Sequence, residues 1–189
     1  MNAIAHCVEA LYAQDANPIT SLMAEEGIRA LASSLPVVVS QPDNLDARTE
    51  ALYGAWLAGS CLGSVGMSIH HKLCHTVGGT YNLPHAETHT IILPHAVWYN
   101  HDAVPQAMTR IGHALARTDL SGASPAAALY DLAQKIGAPL ALRDIGMKAQ
   151  ALDEAARLAT QNPYYNPRPI EYAAIRQLLQ NAWEGRRPG

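Results

Sequence analysis

A chain of 189 residues fits one ordinary domain or two small lobes, and leaves little room for a complete two-domain oxidoreductase. Hydrophobic residues make up 49% and charged residues 15%, so a substantial core is available and a disordered polymer is excluded. Thirteen Lys plus Arg against sixteen Asp plus Glu leave a net charge of −3, too little positive field to grip a phosphate backbone, and nucleic acid is not an expected partner.

Taken in chain order, Asn2 to Ala13 reads as an amphipathic helix with Ile4, Val8 and Leu11 on one side and Asn2, His6 and Glu9 as polar positions between them. A second helix starts near Pro18 and is expected to stop at Pro36, with Val37 to Val39 a short strand or an extended linker. Asp46 to Gly66 reads as a long helix with an apolar stripe of Leu52, Ala55, Trp56, Leu62 and Val65, and Gly59, Gly63 and Gly66 are expected to let a neighbouring backbone come close. Residues 68 to 79 continue helically to an expected left-handed end at Gly78 and Gly79. Another helix runs from after Pro84 toward Asn100, with a kink or break at Pro94.

Ser124 with Pro125 is a good helix start, and Gly137 with Pro139 a good stop. Asp153 to Thr160 and Ile170 to Trp183 complete the helices, separated by the turn-rich Asn162-Pro163-Tyr164-Tyr165-Asn166-Pro167-Arg168-Pro169. With no convincing alternation for a sheet and no repeat, the expected fold is an all-α bundle.

Apolar stretches are cut by Gly, Pro, His or charge before the roughly 18 to 20 residues a membrane span needs, so no membrane partner is expected. Cys7, Cys61 and Cys74 lack CxxC spacing, and no secretory signal is recognisable at the start, which points to the reducing cytoplasm. No GxGxxG, GxxxxGK[ST] or GxSxG pattern occurs, so neither a phosphate-cradling loop nor a nucleophile elbow is expected within the chain.

Histidine carries the chemistry. Eight of nine lie between His70 and His113, and His71 and His75, four apart, share a helix face. Two imidazoles from one helix, His85 from the next element and His6 from a distant helix can converge on a divalent cation through neutral nitrogen ligands, or can be buried rings bonded to carbonyls and to each other. Lys72, the only lysine before Lys135, can add positive potential for an anionic group. Cys74 fits a buried thiol better than a reactive one, and Glu87 suits a helix start by its charge alone.

The segments Met1-Asn2-Ala3-Ile4-Ala5-His6-Cys7-Val8-Glu9-Ala10, His70-His71-Lys72-Leu73-Cys74-His75-Thr76-Val77-Gly78-Gly79 and Asn82-Leu83-Pro84-His85-Ala86-Glu87-Thr88-His89 resemble the group III, iron-containing alcohol dehydrogenase family. The resemblance spans essentially the whole chain, including residues 162–169, and covers only that family's helical C-terminal domain, of dehydroquinate synthase-like fold. It implies that residues 1–189 are the metal- and substrate-side domain of an NAD(P)H-dependent oxidoreductase, that the NAD(P)-binding α/β domain would precede it, and that the full-length enzyme is a homodimer.

Within the family the similarity is greatest to members that reduce a carbon–carbon double bond of a small dicarboxylate in the breakdown of aromatic compounds. By motif position the metal ligands fall on His6, His71 and His85, with Asn2 where the family has Asp; the ion would be iron or zinc. His71, Lys72 and His75 are the implied catalytic set, His75 also lying nearest the nicotinamide of NADH or NADPH. An iron- or zinc-dependent alcohol dehydrogenase domain and a non-catalytic helical module are the alternatives.

Overall fold

The computed structural model describes residues 1–116, 123–162 and 164–189. Nine α-helices, two short 3-10 turns and no strand are found among them: α1 (Asn2–Ala10), α2 (Pro18–Ser40), α3 (Leu45–Ser64), α4 (Ile69–Tyr81), α5 (His85–Asn100), α6 (Pro105–Ala116), α7 (Pro125–Lys135), α8 (Leu152–Ala159) and α9 (Tyr172–Glu184). The expected all-α bundle is what forms. Helix α6 carried no sequence expectation, although Ala107, Met108, Ile111, Ala114 and Leu115 form its buried side at helical spacing.

Local side-chain caps start α2, α3 and α7. The Asn17 side chain accepts from the backbone N–H of Ile19 and Thr20 at 3.0 Å each while Thr20 Oγ1 accepts from Asn17 N–H, and Pro18 follows as the first helical residue. Asn44 caps α3 and Ser124 caps α7 by accepting from Ala47 and Ala127 N–H.

Several sequence expectations are corrected. Helix α2 does not stop at Pro36 but passes through it to Ser40, so Val37 to Val39 are helical rather than strand or linker. Proline removes one ladder bond, and α2 already has its buried anchors, Ala30, Leu31 and Ser34, in place before it. Helix α5 likewise runs unbroken through Pro94. Helix α4 ends not in a glycine but in Asn82, which takes the left-handed conformation at φ 52°.

Of the stripe read on α3, Val65 is buried in the core but Leu52, Ala55, Trp56 and Leu62 face outward, Leu52 72% and Trp56 64% exposed, whereas Gly54, Leu57, Ala58 and Cys61 face the core. Close helix approach occurs at Gly27 and Gly54 instead of at Gly59 or Gly63, which have open space around them. A Cβ on Gly54 would sit 2.8 Å from Leu31 Cγ and one on Gly27 2.7 Å from Cys7 Sγ.

Two hydrophobic cores result. One joins α1, α2, α3, α6 and α7 through Ile4, Val8, Ile28, Leu31, Ile111 and Leu129. The other joins α4, α8 and α9 through Ile69, Leu73, Ala155, Ile175 and Leu179. Helix α5 serves both, giving Leu93 and Val97 to the first and Ile91, Ile92 and Ala96 to the second, with twelve of its sixteen residues buried. The strap at 164–169 ties the ends together: Ser68 Oγ donates to Tyr165 O, Tyr99 Oη to Pro169 O, and the Asn100 and Asn166 amides bond reciprocally. Pro163 lies outside the described residues. No single described helix is long and apolar enough to cross a membrane, and all three cysteines are free and buried.

Candidate functional site

The seam between the two cores is where the histidines meet. Asn2, His6 and Glu9 repeat at steps of four and three, so they form one stripe of α1, and this polar stripe faces the protein rather than water: Glu9 is fully buried and Asn2 and His6 half-buried. Opposite it, α4 presents His70, His71 and His75, and the start of α5 presents His85 and His89.

Ring centroids measure the convergence. His6 stacks on His71 at 5.0 Å, His71 lies 5.0 Å from His70, 5.3 Å from His89 and 6.1 Å from His75, and His85 lies 4.2 Å from His89. Asn2 reaches the same group, its amide Nδ2 3.4 Å from His85 Nε2. His75 and His85 are exposed, so the cluster opens to solvent on their side. Lys72 sits at the flank, its ammonium 5.5 Å from the centre of the Tyr164 ring on the strap.

Helix α4 lacks a side-chain cap from its own N-cap residue, Ser68. The Glu9 carboxylate supplies it from α1, accepting from Ser68 N–H at 2.8 Å and His70 N–H at 2.7 Å, while His71 Nδ1 lies 2.7 Å from Glu9 Oε2. His70 Nε2 donates to His89 O at 3.0 Å. Left without any partner though buried are Asn2 Oδ1, His71 Nε2 and both ring nitrogens of His89.

Electrostatics keep most of these rings neutral. Burial first, then His71 and His85, push His6 down to about 4; burial, then His85 and His71, push His89 to about 3. Burial above all holds His70 well below the usual imidazole range, and burial followed by His71 and His85 lowers His75, with Lys72 adding to the effect. The Lys72 ammonium stands at the flank of the site, while His6, His70, His75 and His89, all lowered, offer lone pairs and single N–H donors.

For a divalent cation the donors are incomplete. Asn2 contributes a neutral oxygen, and the one carboxylate nearby, Glu9, is already engaged by two backbone N–H groups and the His71 ring nitrogen. Among the described residues, the three groups whose ligating atoms all lie within 4.8 Å of one another are His70, His71 and His89, and His70 is committed to the His89 carbonyl. Of the sequence-predicted residues, His6, His71, His75, His85 and Asn2 are brought together and Lys72 borders them. Glu9, His70 and His89 are additions. Their available signal was the i, i+4, i+7 run of Asn2, His6 and Glu9 and the four-residue step from His85 to His89.

The Fe-containing alcohol dehydrogenase family, in its C-terminal part, matches residues 1–183. The chain belongs to this family. It is 54% identical over 188 residues to a maleylacetate reductase of Pseudomonas sp. (strain P51), a match covering 100% of this chain and 52% of that protein. Among solved structures it resembles maleylacetate reductase from Agrobacterium tumefaciens with TM-score 0.94 and 53% identity over 99% of this chain and 52% of that one. A protein of Ralstonia eutropha JMP134 described as an alcohol dehydrogenase gives TM-score 0.95 and 63% identity over 99% and 52%. The chain thus spans about half the length of the relatives it matches.

Proposed function

We propose that this chain is the helical, substrate-side half of a maleylacetate reductase, an enzyme reducing the carbon–carbon double bond of maleylacetate to give 3-oxoadipate, with a nicotinamide-binding α/β half preceding it. The observation that carries the reading is the gathering of imidazoles from α1, α4 and α5 around one opening, in a chain more than half identical to reductases of that name. NADH or NADPH supplies the hydride when bound; the residues of this chain bind the dicarboxylate and handle the proton. Hydride addition to one alkene carbon leaves an enolate, which a proton at the neighbouring carbon converts to product. Lys72 offers fixed positive charge to a substrate carboxylate, and His75, exposed one turn beyond His71, offers an N–H to the developing enolate.

The donor set favours catalysis that does not rest on a tightly held metal. His6, His71 and His85, with the Asn2 amide, are the residues toward which a divalent ion would be drawn, and an amide in place of a carboxylate holds it less tightly than the family's charged set would. The test uses the full-length protein, maleylacetate and reduced nicotinamide nucleotide, with and without chelator. Reduction that survives chelation supports the reading, and His75→Ala should lower turnover roughly 10²- to 10⁴-fold. Reduction of aldehydes but not maleylacetate, abolished by chelation, would instead indicate a metal-dependent alcohol dehydrogenase.

A further inference from the structure

Glu9 is a costly residue where it stands. Its side chain is 0% exposed, and taking a carboxylate out of water costs several kcal/mol even after relaxation. Two of its partners, the backbone N–H groups of Ser68 and His70, account for a helix cap. Capping alone does not account for the third, His71 Nδ1 at 2.7 Å. A second contact fixes where the proton on that ring lies. His70 donates through Nε2 to the His89 carbonyl, so in the neutral His70 ring Nδ1 is a lone pair, and this lone pair lies 3.4 Å from His71 Nδ1. Two acceptors, a carboxylate oxygen and an imidazole nitrogen, thus face one nitrogen of His71. Without a proton there, the three would repel one another in a buried place.

We infer that Glu9 is a positioning residue of the histidine site, acting through His71: in the neutral ring it holds the proton on Nδ1, so that Nε2, buried and unpartnered, is the nitrogen whose lone pair faces the site. The same carboxylate fixes the first turn of α4, so ring orientation and helix start are set together, and α1 carries both this anchor and the His6 ring stacked on His71. The inference rests on reading His71 as a site residue of the reductase.

The test is the protonation pattern of His71 in the full-length protein labelled with nitrogen-15 histidine at alkaline pH, its signals assigned by their loss in His71→Gln. The expected result is a neutral ring protonated on Nδ1. In Glu9→Leu the proton should move at least partly to Nε2, and kcat per folded molecule should fall roughly ten- to a hundredfold at unchanged KM for the nicotinamide nucleotide. A wild-type ring protonated on Nε2 would overturn the inference, as would a Glu9→Leu protein that keeps full kcat; in that case Glu9 only caps α4. If Glu9→Leu does not fold, the wild-type spectrum decides alone. Failure to reduce maleylacetate, with the Nδ1 pattern present, would remove the proposed substrate and leave the Glu9 assignment supported.

Discussion

Asn2 stands where the resemblance places a carboxylate, and its oxygen is buried without a partner beside His85. Restoring the charge should restore cation affinity. Asn2→Asp is expected to tighten Zn²⁺ or Co²⁺ binding at least about tenfold, because one anion beside a cation at this depth is worth more than about 1.4 kcal/mol. Calorimetric titration checks it, and equal affinities would show that the donors do not share one ion. His95, away from the cluster, reports on burial: it is 4% exposed, its Nε2 has no partner, and burial pushes it from 6.5 to about 4. Unfolding therefore takes up a proton between those values, so stability falls as pH drops from 6.5 toward 4. His95→Leu should flatten that loss by about 3 kcal/mol in urea unfolding measured across the window. At this scale histidine clustering and four-residue spacing were readable in the sequence. Glu9 was not, because a polar stripe on a helix ordinarily marks the wet side and here faces a neighbouring helix.

Every helix except α6 was legible from caps and periodicity, whereas the buried face of α3 was not. That helix is apolar on both sides, and the larger residues Leu52 and Trp56 drew the reading outward while the core side is built from Gly54, Leu57, Ala58 and Cys61. Small residues are inside because α2 approaches closely there. Gly54→Val should cost roughly 1–3 kcal/mol by overpacking against Leu31 and Ala30, and Gly59→Ala, facing open space in the same helix, should cost nothing or stabilise. Denaturation midpoints compare the two, and equal effects would contradict the close packing. The prolines show the same lesson: Pro36 read as a stop and Pro94 as a kink or break, but the buried anchors before Pro36 and the buried residues on both sides of Pro94 carry the helices through.

At the scale of the molecule, two cores share α5, and the first turns of α5 and α4 meet α1 where the cores join. The seam explains why residues distant in sequence gather there, something no local pattern in the chain discloses. Leu45, Leu52 and Trp56 repeat along the outer face of α3, all exposed, so the chain alone should associate at micromolar concentration and Trp56→Glu should reduce that association in light scattering. The most direct test of the shared site is histidine NMR of the full-length protein titrated with 3-oxoadipate. The signals of His6, His71, His75, His85 and His89 should shift together while those of His95, His101 and His113 stay in place. Shifts scattered among the remote rings, or none within the cluster, would contradict a common substrate pocket.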